Sequence, residues 1–401
     1  MEMRTVILGG GISGLSAAWF LHKKDPGAEI VLLEKESRLG GWVETRAEGE
    51  FCFERGPRTL ARGRSRELLR LVEELGLSSE IVPSSPAAAS RYLLKGGKLR
   101  SLSSFWPQLM WAGASEMLRK RGGGEDESIY DFAERRFGAK VARGFFDPLT
   151  LGIYAGDIHR LSIRSCFRPL WEWEQKEGSV VWGMLKKKRR EPGLFTLKGG
   201  LERLIRELEK KLPICVVKNC CVEAIAPDVA TSQGVFQADR VISALPVDEI
   251  SRLTGIALDI PYRSIWVVHL GFHRRVLKRK GFGYLAPTEE GERLLGMVWD
   301  SEIFTEEAQT RLTAMIREES TDPIGDALDA IKRHMEIEDQ PDYVSSRLAF
   351  RAIPQFEVGH EEKMARFEKE AASRFPHLSL IGNYLAGASL EACVARARLV
   401  V

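Results

Sequence analysis

The sequence predicts an α/β protein in which one parallel-sheet domain is assembled from three separated stretches, with α+β and helical segments inserted between them. Three observations predict it. A short apolar run, Thr5–Leu8, passes through a glycine cluster into a helical stretch from Ile12 to about Lys24. Strand, turn and helix signals of the same kind return around residues 195–250, and again in the closing SLIGNYLAGASLEACVARARLVV. The stretches between them differ in character. The expected organisation is 1–83, 194–248 and 376–401 for the parallel-sheet domain. It assigns 84–104 and 249–375 to an α+β domain, and 105–193 to a helical insertion.

The elements follow in order. Asp25-Pro26-Gly27 stops the first helix, and the apolar run Glu29–Leu33 ends at Glu34. Ser104–Leu118 is unusually apolar, carrying Phe105, Trp106, Leu109, Met110 and Trp111. A glycine-and-charge linker, RKRGGGEDE, then covers Arg119–Glu127, and a basic loop, KKKRREP, covers 186–192. TLKGGLERLIRELEKKL reads as a glycine turn and an amphipathic helix. ICVVKNCCVEAI reads as strand, turn, strand, and RVISALP as a strand closed by Pro246. Tyr262–Phe272 and Gly296–Trp299 read as further strands, with an acidic turn at Glu289–Glu292.

Composition narrows the function classes. A chain of 401 residues can hold two or three domains and a sizeable core. With 59 basic residues against 56 acidic, no single-sign field marks a nucleic-acid binder. The cysteines (52, 166, 215, 220, 221 and 393) form no CxxC pair, so reduced thiols in a cytosolic-type compartment are expected. His269 and His273 are four apart but lie in strand-like sequence, so no metal site is expected. Neither a signal peptide nor an apolar run of about 18 residues is visible.

Chemistry enters with Gly9-Gly10-Gly11-Ile12-Ser13-Gly14, a G-x-G-x-x-G between a strand and a helix. Gly9 permits the tight turn, Gly11 lets a pyrophosphate approach the backbone, and Gly14 lets the helix pack close. The helix N-terminus then attracts phosphate. Glu34 ends the second strand, where a carboxylate grips ribose hydroxyls and repels the extra phosphate of NADP. A Rossmann-like dinucleotide domain is therefore expected. The loop Arg38-Leu39-Gly40-Gly41-Trp42 decides for FAD over NAD, because an extended FAD must lie against backbone there; Arg38 is expected to pair with its pyrophosphate. Gly382-Asn383-Tyr384-Leu385-Ala386-Gly387 ends a strand and opens a helix whose N-terminus suits a reduced flavin ring.

Together, the G-x-G-x-x-G, Glu34 and RLGGW resemble the amine-oxidase/phytoene-desaturase flavoprotein superfamily. FCFERGPRTL, AAASRYLLKGGKLRSLS, LGIYAGD with LSIRSCF, GFGYLAP with LLGMVWDS, RAIPQFEVGH and GNYLAGASLEACVARA resemble oxygen-dependent protoporphyrinogen oxidases. The resemblance runs from residue 4 to the end, in order. It implies non-covalent FAD and oxidation of a porphyrinogen to a porphyrin in three two-electron steps. Oxygen or another acceptor would regenerate the flavin, and no side-chain base is assigned.

By the same resemblance, Lys35, Gly56, Pro57, Arg58, Val222, Gly387 and Val394 join the cofactor set of Gly9, Gly11, Ile12, Ser13, Gly14, Glu34, Arg38, Gly40, Gly41 and Trp42. Arg91 matches the arginine that anchors a propionate. Phe282, Gly283 and Leu285 match the segment touching the macrocycle, Gly283 leaving room for a ring face, and Met315 and Ile353 match other slot positions. Two departures stand out. Glu391 replaces a frequent glycine beside the final helix, where it would cap that helix or alter the approach to flavin. Arg317-Glu318 follow Met315 where some relatives have glycines.

The runner-up reading is a coproporphyrinogen oxidase, since Arg91 alone does not count substrate carboxylates. A non-catalytic binder like the Rab GDP-dissociation inhibitors is the alternative of another class, and the retained glycines argue against it. The apolar stretch 104–118 reads as core or as membrane contact, and the basic loop 186–190 as a solvated loop; on the membrane reading the two together would dock on an anionic surface, on the cytoplasmic side.

Overall fold

The computed structural model describes residues 3–187, 191–226, 228–304 and 308–401; residues 188–190 of the basic loop lie outside them. Its first sheet has five strands in the order Cys215–Val217, Glu29–Leu33, Arg4–Leu8, Arg240–Ser243, Leu378–Leu380, all paired in parallel. Val6, Ile7 and Leu8 are fully buried because helices cover both faces, which is why these strands are apolar runs without alternation. On one face the helix Ile12–Lys24 packs with Glu202–Lys211 and Leu390–Val400. On the other, the helices Val247–Thr254 and His360–Arg374 and the antiparallel strands from Val222 close the core.

Seven strands make the second sheet, in the order Tyr343–Pro354, Tyr262–Phe272, Thr310–Arg317, Leu294–Val298, Gly283–Leu285, Arg91–Lys95, Lys98–Ser101. The alternation of its strands separates two faces. Leu312, Ala314 and Ile316, with Val268, Leu270, Tyr284 and Leu94, pack beneath the helix Pro323–Met335. The residues between them face the other way and build the candidate site. Between positions 106 and 186 the chain is helical, with its own core around Phe132, Phe146 and Ile163. The final helix is capped by Ser389, whose side chain accepts from the Ala392 N–H; Glu391 does not cap it.

Candidate active site

The glycine cluster forms the turn its motif demands. Gly9 has φ +98°, and its N–H donates to the Leu33 carbonyl at 2.8 Å. A Cβ on Gly14 would stand 1.9 Å from the Gly9 oxygen, so only glycine lets the helix lie this close to its strand. A Cβ on Gly11 would meet nothing nearer than Gly41 Cα at 4.0 Å. Gly11 also bridges Gly40 in parallel, so the two glycine loops face each other through main chain alone. The helix begins at Gly11 without a side-chain cap, leaving its first N–H groups for an outside acceptor. This bare cradle fits a dinucleotide pyrophosphate.

Around the cradle, some side chains are engaged otherwise than expected. Glu34 is buried, and its Oε2 accepts from the Gly10 N–H at 2.6 Å while Oε1 accepts from Glu36 at 2.9 Å. It braces the glycine loop, and each oxygen keeps a lone pair for a hydroxyl. Arg38, expected at the pyrophosphate, lies against its own loop. Its guanidinium donates to the carbonyls of Leu39, Gly41 and Val43, because the tight loop turns those oxygens inward. Val394 is fully buried in the core shared with Ile12, so its side chain faces packing and no opening. Ser13 is buried in the first helical turn, Lys35 is exposed beside Glu36, and Gly387 turns the chain at φ +112°. Val222 lies buried two residues beyond Cys220, whose N–H binds the Glu34 carbonyl at 2.9 Å.

From the RLGGW loop the chain folds back on the GPR segment. A Cβ on Gly56 would meet the Trp42 carbonyl at 1.9 Å, so Gly56 lets the two segments touch; Pro57 then leads into Arg58. Glu44 binds Arg55 at 2.8 Å and Arg347 at 2.6 Å, with Arg38 at 3.5 Å. Burial opposes its ionisation, but these guanidinium groups outweigh burial and hold the carboxyl below its usual range. Glu44 thus joins the cofactor loops to the edge of the second sheet. Its acidic side chain in a mixed loop carried no signal of this.

The register of the second sheet assembles the slot. Arg91 pairs with Gly283, which pairs with Val298, then Thr313, then His269. In the next row along, Leu93 pairs with Leu285, then Gly296, Met315, Val267 and Arg347. Arg91, Gly283, Leu285 and Met315 therefore share one face in two adjacent rows. Ile353 pairs with Arg263, four residues before Val267, so the structure sets it roughly 13 Å along the strand at 3.3 Å per residue. Gly283 has its own explanation: at φ +135° its Cβ would stand 2.0 Å from the Met297 oxygen. The neighbouring strand by itself requires that glycine.

Arg91 lies 4.8 Å over the Phe282 ring and makes no side-chain hydrogen bond or ion pair among the described residues. Burial alone lowers its pKa from the ordinary value, with no carboxylate to offset it. The residue keeps solvent-accessible surface, so a carboxylate can reach its guanidinium from outside.

A buried polar chain behind the slot was not visible in the sequence, because its members come from three separate segments. Arg58 lies 3.6 Å from Asp300, and Asp300 accepts from Thr313 Oγ1 at 2.7 Å. Thr313 Oγ1 also stands 3.0 Å from His269 Nδ1. The hydroxyl hydrogen is engaged in the bond to Asp300, so its oxygen accepts from His269 and Nδ1 carries the hydrogen, which defines the tautomer. Burial first, then Arg58, Arg55 and Arg311, push the His269 pKa down to about 3. Nearby, burial raises the Glu54 carboxyl to about 7 against the hydrogen bonds from Leu201 N–H and Thr45 Oγ1.

Trp106, Met110 and Trp111, on the helix Trp106–Glu116, are largely exposed, and Trp182, Met184 and Leu185 are exposed on the neighbouring helix Val180–Lys186. Phe105 and Leu109 are half-buried, Leu109 against the helical core. Among the described residues no helix is long and apolar enough to cross a membrane.

A glycine cradle on a parallel sheet, joined to a second sheet bearing a cationic slot, defines a dinucleotide-dependent oxidoreductase. The family model described as flavin containing amine oxidoreductase matches residues 12–386. Protoporphyrinogen oxidase of Homo sapiens is 33% identical, covering 98% of this chain and 95% of that protein. Coproporphyrinogen III oxidase of Bacillus subtilis is 26% identical, covering 100% and 97%. A putative protoporphyrinogen oxidase from Exiguobacterium superposes with TM-score 0.88 at 25% identity, covering 100% of this chain and 98% of that one. The chain belongs to the flavin containing amine oxidoreductase family, in its protoporphyrinogen oxidase branch.

Proposed function

We propose that this protein oxidises protoporphyrinogen IX to protoporphyrin IX in heme biosynthesis, with non-covalent FAD and oxygen as the acceptor. The observation that carries the reading is Arg91, a solvent-accessible cation over the Phe282 ring, with no ion-pair partner among the described residues, at the rim of an apolar sheet face. A flat macrocycle edged by propionates matches that arrangement, with the ring on Leu285 and Met315 and one carboxylate on Arg91. Ile353 lies along the same strands, toward the far rim.

When bound, the flavin supplies hydride acceptance, once for each two-electron step. The chain's own part is to orient and to exclude water. Gly9, Gly11, Gly14, Gly40 and Gly41 admit the pyrophosphate, and Glu34 holds the glycine loop while meeting ribose. The Arg58–Asp300–Thr313–His269 chain ties the GPR segment to the slot face, which keeps ring and cofactor loops in register. No side chain is assigned as a base.

We further assign residues 1–83, 194–248 and 376–401 to the cofactor domain, 84–104 and 249–375 to the substrate domain, and 105–193 to a helical domain. Its exposed tryptophans would dock on an anionic membrane surface at the cytoplasmic face.

The test is turnover of protoporphyrinogen and coproporphyrinogen side by side, read by porphyrin fluorescence. Faster protoporphyrin formation is expected. Preference for coproporphyrinogen would overturn the substrate and favour the second reading, which the Bacillus subtilis relative motivates. Failure to bind flavin would instead favour a non-catalytic binder.

A further inference from the structure

Leu285 is held between two glycines that come from different parts of the chain. A Cβ on Gly152, in the helix Asp147–Tyr154, would stand 2.6 Å from Leu285 Cδ2 and 3.3 Å from Cδ1. A Cβ on Gly296, in the strand beside Leu285, would stand 2.8 Å from the same Cδ2. Real carbon neighbours need about 3.5 Å or more, so either glycine could gain a side chain only if Leu285 or its surroundings moved. Both Gly152 and Leu285 keep accessible surface, so their contact borders open space.

The helix carrying Gly152 cannot easily retreat. At its start, buried Asp147 accepts from the Thr288 N–H at 2.7 Å and from Thr288 Oγ1 at 2.8 Å. At its end, the Tyr154 carbonyl accepts from Gln355 Nε2 at 2.9 Å, and the Tyr154 hydroxyl donates to the Cys166 carbonyl at 3.0 Å. With the helix pinned at both ends, the softer partner is the Leu285 side chain. Leu285 Cδ2 already fills the space over Gly296, where an added Cβ would stand 2.8 Å away, so a leucine displaced from Gly152 would turn toward the open side of the sheet face, where the ring would lie. Beside this helix lies a cavity of about 480 Å3, lined among others by Leu151, Ile265, Leu295 and Arg317. Ile265 and Arg317 lie two residues along from Val267 and Met315 on the same sheet face.

We propose that Gly152 is a specificity-determining position: by lacking a side chain it lets Leu285 stand back, and so sets the width of the slot. The inference rests on reading Leu285 as a substrate contact. Gly152 is a positioning residue, acting only through Leu285.

The experiment compares Gly152→Ala, Leu285→Ala and the double variant as flavin-loaded enzymes with protoporphyrinogen IX. Gly152→Ala is expected to raise KM about tenfold, the low end of what one carbon in a binding slot is worth, with kcat changed by less than about threefold. The double variant should return to the KM of Leu285→Ala alone. An unchanged KM in Gly152→Ala, or a double variant that keeps its raised KM, overturns the inference. If Gly152→Ala does not fold, flavin content and melting temperature of the double variant decide. Recovery to the level of Leu285→Ala supports the contact, and failure to recover overturns it. A wild-type protein that leaves porphyrinogen unoxidised overturns the functional reading itself, which no variant result above would do.

Discussion

Glu391 on the last helix caps the helix Arg66–Glu74: its Oε2 accepts the Leu68 N–H at 2.9 Å and its Oε1 accepts that of Glu67 at 3.1 Å. The helix it caps has no side-chain cap of its own at Ser65. The acid therefore replaces a local cap with one delivered across the tertiary fold. A carboxylate at a helix N-terminus is stabilised by unpaired N–H groups and the helix dipole. Glu391→Ala should cost about 1–2 kcal/mol of stability, and Glu391→Gln less, because it retains one acceptor. Thermal melting checks both, with flavin content per folded molecule expected to stay at the wild-type level.

Arg91 has no acidic partner among the described residues, so its removal should leave the fold intact. A charge-assisted bond to a carboxylate there contributes roughly 1.5–3 kcal/mol. Arg91→Ala should then lower kcat/KM by about ten- to a hundredfold at 1.4 kcal/mol per decade, with normal flavin content. Arg91→Lys should recover only part, since an ammonium cannot bind both carboxylate oxygens side by side. Wild-type kinetics in Arg91→Ala would remove the anchor assignment.

Flavin release tests the cofactor. Acid or heat should free FAD into the supernatant, where its chromatographic mobility distinguishes it from FMN. Colour remaining on the precipitated chain would contradict non-covalent binding.

His269 predicts a pH dependence. An unfolded histidine takes up its proton near pH 6.5, whereas the buried ring does so only near about 3. Between those values the unfolded chain binds more protons, so stability falls as pH falls through that window. His269→Gln removes the titrating group, and the fall in urea midpoint between pH 6.5 and 4 should be shallower than in the wild type. Equal slopes would show that the ring is not held neutral.

The exposed Trp106, Met110 and Trp111 predict binding to vesicles of anionic lipid at low salt. Met110→Glu with Trp111→Glu should abolish co-sedimentation and leave turnover unchanged. A wild-type protein that stays in the supernatant would retire the membrane proposal.

How much of the site was legible varies with the origin of each signal. Gly9, Gly11, Gly14 and Glu34 act within a single strand–turn–helix–strand unit, so their spacing alone specified the cradle. The bonds of Arg38 to its own loop's carbonyls were not legible, because they depend on how tightly that loop closes. At Gly283 the packing demand was hidden for a similar reason: the carbonyl that excludes a side chain there belongs to Met297, on another strand. Asp300, Thr313 and Arg58 form a chain only after two sheets are brought together, and no pattern in any one segment announces it.

By itself, the sequence determined the class of this protein, the order of its elements and the nature of its cofactor cradle. Those rest on short-range chemistry, namely apolar periodicity, turn residues and glycines at fixed spacing. Only the tertiary structure decided which side chains share one face of the second sheet, that Arg91 has no ion-pair partner among the described residues, and that Leu285 fills the space beside Gly152. Each of these depends on strand register and helix placement, which shift a side chain from one face or neighbour to another while the local sequence stays the same.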